Sequence, residues 1–361
     1  MKINKHIPVK LIKQRHPLAY GSFINWIKLL LENGGIEKNI TKALYISLST
    51  LFGIPFRIFE NARFGKKIKN LEIKESPILI IGHWRSGTTY LHNLISQDKS
   101  LGYISGFQAF APEVFLGIEK VFKPILSPQE EEHAIANMCS YSFYHGLFFP
   151  KNIKKYFRKF VVFDEDSEEI RTKWKEIYIE ILKKASFSMR GKRLVLKNPT
   201  NTGRIKILLE IFPDAKFIHI YRNPYAVYAS TKHLFCTRIL REWAFQDISE
   251  EELEENILLL YKEIMQRFFE EKNLIPPRNF VEIKYEDLEV NPLEELKRIY
   301  NELELPGFEK SKEDFKAYIT ASRANYKKNK YMLNDETIKK VYQHWKFTIE
   351  RWKYDVPEDL R

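Results

Sequence analysis

The sequence predicts an α/β fold, a central parallel sheet flanked by helices, preceded by a helical extension. Three observations carry this. Short apolar runs at 78–81, 193–196, 216–221 and 280–285 alternate with segments of helical periodicity. The first run opens into a glycine-bounded loop that leads straight into a helix. No internal repeat or Ser/Gly-rich linker divides the chain, so 1–75 reads as the extension and 76–361 as one main domain.

Residues 1–70 read as helical. Phe23, Ile24, Ile27, Leu30 and Leu31 make one apolar face, and Leu44, Ile46, Leu48, Leu51 and Phe52 another, with Gly34-Gly35 between them. Packing of these faces against the main domain is the first expectation. An amphipathic hairpin touching a membrane surface is the second. The apolar window 43–56 is too short and too polar to span a bilayer.

In 78–96 the strand stops at Gly82, and Gly87, Thr88 and Thr89 open a helix carrying Tyr90, Leu91, Leu94 and Ile95. Free N–H groups and the positive end of the helix dipole make such a turn an anion seat. The spacing Gly82-x4-Gly87-Thr88-Thr89 predicts a P-loop-like three-layer fold. The P-loop lysine is missing, however, and Arg85 is the loop's strong cation. An oxyanion ligand is expected in place of a conventional Mg-ATP.

Residues 101–117 read as an aromatic loop. Ser127-Pro128 followed by Glu130, Glu131 and Glu132 reads as a helix start. The triplet either complements the helix dipole or turns one carboxylate into a cleft. The Phe- and Tyr-rich stretch 138–163 is core or the roof of an apolar pocket. A helix follows over 164–188. The second strand ends at Lys197-Asn198-Pro199-Thr200-Asn201, and a helix covers 204–211. The third strand ends at Arg222, before a helix carrying Ser230. Further helices are expected over 250–272, 292–303 and 335–352, with a lysine cluster at 326–330. Arg85, Lys197 and Arg222 each follow a strand's carboxyl end, where ligands of parallel sheets sit. Three cations on one edge point to a ligand with several negative charges.

Composition agrees. Of 361 residues 44% are hydrophobic and 29% charged, which marks a globular chain with a sizeable core. Aromatics at 14% suggest aromatic-lined surfaces or an apolar cleft. The net charge of +12 suits anionic small molecules or membrane; lysine is spread without a dense arm, so no nucleic-acid partner is expected. Cys139 and Cys236 lie in no metal-ligand pattern. With no signal peptide in 1–15, a cytoplasmic protein is expected, with peripheral membrane contact through the N-terminal helices as the variant.

From about Pro77 to Asp355 the chain resembles the sulfotransferases that use 3′-phosphoadenosine 5′-phosphosulfate. Gly82-His83-Trp84-Arg85-Ser86-Gly87-Thr88-Thr89 is similar to that family's 5′-phosphosulfate loop. Arg222, with Ser230 eight residues on, is similar to its 3′-phosphate site. Lys197 resembles a lysine beside the transferred group, and Tyr285-Glu286-Asp287-Leu288 with Pro292 a further family segment. The acidic triplet and the 325–331 text look most like the bacterial-type subgroup. The resemblance implies sulfuryl transfer to a hydroxyl or amine, without a metal, on a small-molecule or lipid acceptor. It implies donor binding by Arg85, Ser86, Gly87, Thr88, Thr89, Arg222 and Ser230, with Tyr326, Lys327 and Asn329 closing over the nucleotide. Arg85 and Lys197 would neutralise the leaving phosphate.

The base departs from the family pattern. Pro199 stands where cytosolic members place a histidine, and Asn201 where bacterial relatives often have one. Gly106, Phe107 and Gln108 occupy the neighbourhood where members acting on protein tyrosines place a glutamate. The acidic triplet Glu130, Glu131 and Glu132 therefore supplies the expected base, with Glu131 and Glu132 put first and His133 and Glu113 behind them. A P-loop kinase or NTPase is the alternative enzyme, but the loop lysine is absent. A non-catalytic nucleotide- or membrane-binding module would leave Lys197 unexplained.

Overall fold

A computed structural model describes residues 16–119, 126–163, 168–325 and 331–360. Tyr326, Lys327 and Asn329 lie outside the described residues. Three helices come first: α1 (Phe23–Glu32), α2 (Ile40–Phe52) and α3 (Ile54–Lys69). The main body is next, as β1 (Ile78–Ile81), α4 (Thr88–Ile95), α5 (Glu131–Met138), α6 (Glu168–Ser188), β2 (Val195–Lys197) and α7 (Ile205–Ile211). It continues with β3 (Lys216–Tyr221), α8 (Pro224–Leu234), α9 (Glu250–Glu271), β4 (Phe280–Lys284), α10 (Pro292–Glu302), α11 (Phe308–Asn325) and α12 (Asp335–Arg351).

The four strands pair in parallel in the order β2-β1-β3-β4. All four residues of β1 are buried, as a central parallel strand requires. Alternate side chains serve opposite layers. Ile78 and Ile80 join Leu91 and Leu94 of α4, Leu296 of α10 and Phe315 of α11. Leu79 and Ile81 face the larger core of Trp174, Tyr178, Tyr261 and Trp345. This is the expected three-layer α/β arrangement. The chain crosses from β2 over β1 to β3, so the loops after β1 and β3 meet where the order reverses.

Several boundaries differ from expectation, each for a local reason. The second strand starts two residues later and includes Lys197, because Lys197 pairs in register with Ile80. Residues 101–117 are not a plain loop: Ser105 and Gln108 form a reciprocal capping box that starts a short helix, Gly106–Phe110. The helix expected from Ser127 begins only at Glu131. Ser127 O accepts from Gly106 N at 2.9 Å and Gln129 N donates to Ile104 O at 2.8 Å, which holds that stretch extended. The aromatic stretch 138–163 mostly enters the larger core, through Phe148, Phe149, Phe157 and Phe160.

The N-terminal helices share that core through Trp26, Leu29, Ala43 and Ile46. The faces expected to pack inward mostly do not. Ile24, Leu31, Leu44, Leu48, Leu51 and Phe52 are half or more exposed, between 50% and 80%, while Trp26 and Ile46 are buried. Both helices are apolar on two sides, so periodicity marked a stripe without marking its direction. Among the described residues no helix is long and apolar enough to cross a membrane.

Candidate active site

The loop after β1 is wound against its neighbours. Gly82 has φ +141°, a conformation that favours glycine, and a Cβ there would collide with the Ile220 carbonyl. Its N–H donates to Thr202 Oγ1 at 2.8 Å, which pins the loop to the segment after β2. Arg85 sits at φ +71°. Gly87 comes next at φ +95°, and a Cβ there would run into the Tyr285 ring. These turns aim the N-terminus of α4 at the space above the sheet. Its first amides have no intrahelical acceptor and carry partial positive charge.

Three strand-end cations converge here. Arg85 Nε donates to Ser230 Oγ at 2.8 Å, and Ser230 also bonds the Tyr331 hydroxyl at 3.2 Å. Arg222 Nη1 donates to the Arg85 carbonyl at 3.3 Å, and its guanidinium lies 4.4 Å from the Tyr285 ring centroid. Arg222 and Ser230 thus meet through Arg85. Lys197 is buried; its Nζ donates to Thr89 Oγ1 at 3.2 Å and pairs with Glu130. Ser86 and Thr88 are buried beneath the loop, and Thr89 is exposed at its mouth. Backbone donors, hydroxyls and two guanidiniums on one edge suit an anionic ligand.

The acidic triplet divides. Glu130 caps α5, accepts from Lys197 and from the Tyr144 hydroxyl, and keeps 14% of its side chain exposed. Glu131 and Glu132 are fully buried and turn elsewhere. Glu131 accepts from the Tyr178 hydroxyl at 3.1 Å and from Asn201 at 2.9 Å, and burial pushes its carboxyl up to about 7.

Glu132 pairs with Arg204 at 2.7 Å and accepts from Ser142, Asn198 and Thr200. Burial alone would raise its carboxyl; the Arg204 charge and hydrogen bond, with those of Asn198 and Ser142, outweigh it and hold the group at about 2. His133 lies among Phe110, Tyr144 and Trp243, and burial lowers its imidazole to about 3. Of the triplet and His133, Glu130 is the one that bonds Lys197; Glu131 and His133 feel the Lys197 charge without bonding it, and Glu132 bonds the adjacent Asn198. Glu113 lies by Arg57 and Lys184 on a cavity of about 860 Å³ between α3 and α6, which no loop residue lines.

Sequence reasoning held Glu130 only as one of the three carboxylates of the triplet, and passed over the roles of Tyr144, Thr202 and Arg204. Nothing in the sequence separated Glu130 from its neighbours, because the helix expected from Ser127 starts only at Glu131 and leaves Glu130 outside its first turn. Arg204 had no signal: an arginine before an amphipathic helix reads as exposed. Beside the loop an apolar pocket is lined by Trp84, Phe143, Leu147, Leu234 and Ile239.

The profile of the sulfotransferase family matches residues 77–310. The omega-hydroxy-beta-dihydromenaquinone-9 sulfotransferases Stf3 of Mycobacterium bovis and Mycobacterium tuberculosis are each 32% identical to this chain, covering 96% of it and 94% of their own length. The fold is similar to the crystal structures of sulfotransferase STF9 from Mycobacterium avium and STF1 from Mycobacterium tuberculosis. The TM-scores are 0.69 and 0.64, at 15% identity in both cases. STF9 aligns over 95% of this chain and 98% of its own, and STF1 over 88% and 89%. A match that runs from β1 through both strand-end arginines, together with relatives aligned end to end, makes this chain a member of the sulfotransferase family and a sulfuryl-transferring enzyme.

Proposed function

We propose that this enzyme passes the sulfuryl group of 3′-phosphoadenosine 5′-phosphosulfate to the hydroxyl of an apolar, lipid-like acceptor, with Glu130 as the base. The family implies the donor. The observation that carries the rest is the junction of Glu130, Lys197 and Thr89 at the mouth of the loop. A base must stand within hydrogen-bond reach of the acceptor hydroxyl, and the acceptor must approach the sulfur in line with the leaving phosphate.

As the acceptor oxygen bonds to sulfur, its proton passes to the Glu130 carboxylate. The bond from sulfur to the 5′-phosphate oxygen breaks, and the charge left on phosphate falls to Lys197, Arg85 and the α4 amides. Thr88 and Thr89 add hydroxyl donors. Arg222, with Ser230 beside Arg85, holds the 3′-phosphate, and Ser86 and Gly87 shape the loop. Tyr326, Lys327 and Asn329 complete the nucleotide site in this reading. Tyr144 orients Glu130.

The hydroxylated menaquinone in the relatives' name supports a lipid-like acceptor. Residues 76–361 carry the transfer site, and 1–75 supply helices that bring it to the membrane holding that acceptor.

Glu130→Gln tests the base. Turnover is expected to fall by about 10²–10⁴-fold, with affinity for the 3′,5′-bisphosphate nucleotide nearly unchanged. Full turnover in that variant moves the base elsewhere. Incubation with donor and a host lipid extract, read by mass spectrometry for a gain of SO3, tests the acceptor class.

A further inference from the structure

The outward faces of the N-terminal helices are apolar in an organised way. Among the described residues, twelve of the seventeen strongly exposed large apolar side chains lie between Ile24 and Phe59. On α2 they form one stripe, Ile40, Leu44, Leu48, Leu51 and Phe52, opposite the buried Ala43, Ile46 and Thr50. Ile24, Ile27 and Leu31 run along α1 in the same way. Phe52 and Phe56, with ring centroids 5.9 Å apart, carry the surface onto α3. Lys42 is the sole charged residue in the 13 of α2.

This surface is held rigid from behind. Trp26 Nε1 donates to Ser47 Oγ at 2.8 Å, locking α1 to α2, and Asn25 donates to the Ala136 and Cys139 carbonyls at 3.0 Å. Exposed apolar area of this extent marks an interaction site.

Charge identifies the partner. Lysine is spread along the chain, but carboxylates are not. The described residues 16–69 hold eight Lys and Arg against three Glu and no Asp. Arg63, Lys66, Lys67 and Lys69 are exposed along the last turns of α3, and Glu60, the one acid of that helix, is buried against Lys184. An apolar stripe bordered by cations matches the interfacial zone of an anionic bilayer, where acyl chains take the stripe and headgroups take the lysines. Nucleic acid would meet the cations but leave the stripe in water.

We propose that the outward face of α1, α2 and the start of α3 docks on an anionic lipid bilayer, with α2 lying in the interface and the end of α3 on the headgroups. This deepens the lipid-acceptor reading and rests on it for its purpose, but its test reads binding alone. The full chain is mixed with phosphatidylcholine vesicles with and without about 30% phosphatidylglycerol, and vesicle-bound protein is separated by flotation. Binding is expected with the anionic lipid, weakened by salt and weaker on phosphatidylcholine alone.

The triple variant Leu44→Ser, Leu48→Ser, Phe52→Ser should lose at least about tenfold in partition. The charge variant Lys66→Glu, Lys67→Glu, Lys69→Glu should lose binding to the anionic vesicles selectively. Both keep the thermal shift given by the bisphosphate nucleotide, because the altered residues are exposed and remote from the loop. No flotation of the wild type overturns the proposal, as does equal flotation of the triple variant. Dimerisation that disappears in the triple variant does so too, since the face would then be covered by a second copy. Failed docking alongside intact lipid sulfation in detergent removes this inference alone; the converse removes the acceptor reading alone.

Discussion

Three consecutive carboxylates have three separate fates, and the cause is geometric. Glu130 stands outside the first turn of α5 and reaches Lys197. Glu131 and Glu132 lie inside that turn and point into the protein. The sequence could show an acidic triplet beside a cleft; it could not show which member faces the cleft, because that depends on Arg204, 72 residues beyond Glu132. Glu132→Ala should unfold the protein more than a routine core change: Arg204 would stay buried over Trp174, 4.7 Å from its ring centroid, without its counter-charge. A loss of about 3–5 kcal/mol is expected in urea denaturation, and a loss under about 1 kcal/mol would mean the pair is not structural.

Glu131 makes a pH prediction. Its folded carboxyl sits at about 7, above the ordinary 4.5, because burial opposes its charge. The folded state therefore holds a proton that the unfolded state has released. The stabilisation is complete below about 4.5 and is lost as pH rises through about 7. Glu131→Gln should flatten that decline, so its melting temperature gains on the wild type between pH 5 and 8. Parallel curves would show that Glu131 does not titrate there.

At the scale of elements, the legible part was each strand and the residues just past its end. Apolar runs located β1, β3 and β4 within a residue, and the arginines after β1 and β3 do meet, while Lys197, at the end of β2, reaches the same loop through Thr89. Contacts between elements distant in sequence were not legible: Thr202 beneath Gly82, Tyr285 against Gly87, and Arg85 reaching Ser230. The direction of the α1 and α2 stripes was hidden for the same reason, since only the packed partner decides which apolar side turns inward.

The Gly87 contact can be tested. Gly87→Ala needs a left-handed backbone and must push aside the Tyr285 ring, which is pinned by Arg222 above it and by its hydroxyl bond to Glu289 at 2.9 Å. We expect affinity for the bisphosphate nucleotide to fall by about tenfold or more, with about 1–2 kcal/mol of stability lost to backbone strain. Calorimetric titration measures the first, and wild-type affinity in the variant would mean the loop tolerates a side chain there. Arg222→Ala, which removes a charge-assisted contact without altering the loop, should cost about 1.5–3 kcal/mol of that affinity.

At the scale of the molecule, the helices before the sheet are part of its interior. Trp26 sits 5.4 Å from Phe245 between ring centroids, and Asn33 bonds the Tyr156 hydroxyl at 2.8 Å. Glu60 of α3 holds the buried Lys184 of α6 at 2.5 Å and accepts from the Gly117 amide. Deleting 1–75 would open that core and remove the Glu60 partner of Lys184, in a chain that still contains the whole loop after β1. In the proposed division, residue 76 would begin the catalytic part, and the shared core argues that this part needs 1–75 to fold. We expect the 76–361 fragment to show no cooperative melting transition and no stabilisation by the bisphosphate nucleotide, while the full chain melts in one transition that the nucleotide shifts upward. A fragment with its own sharp transition and intact nucleotide binding would place a folding boundary at the start of β1. The membrane face would then sit on a detachable module, and its removal would spare sulfation of a water-soluble acceptor.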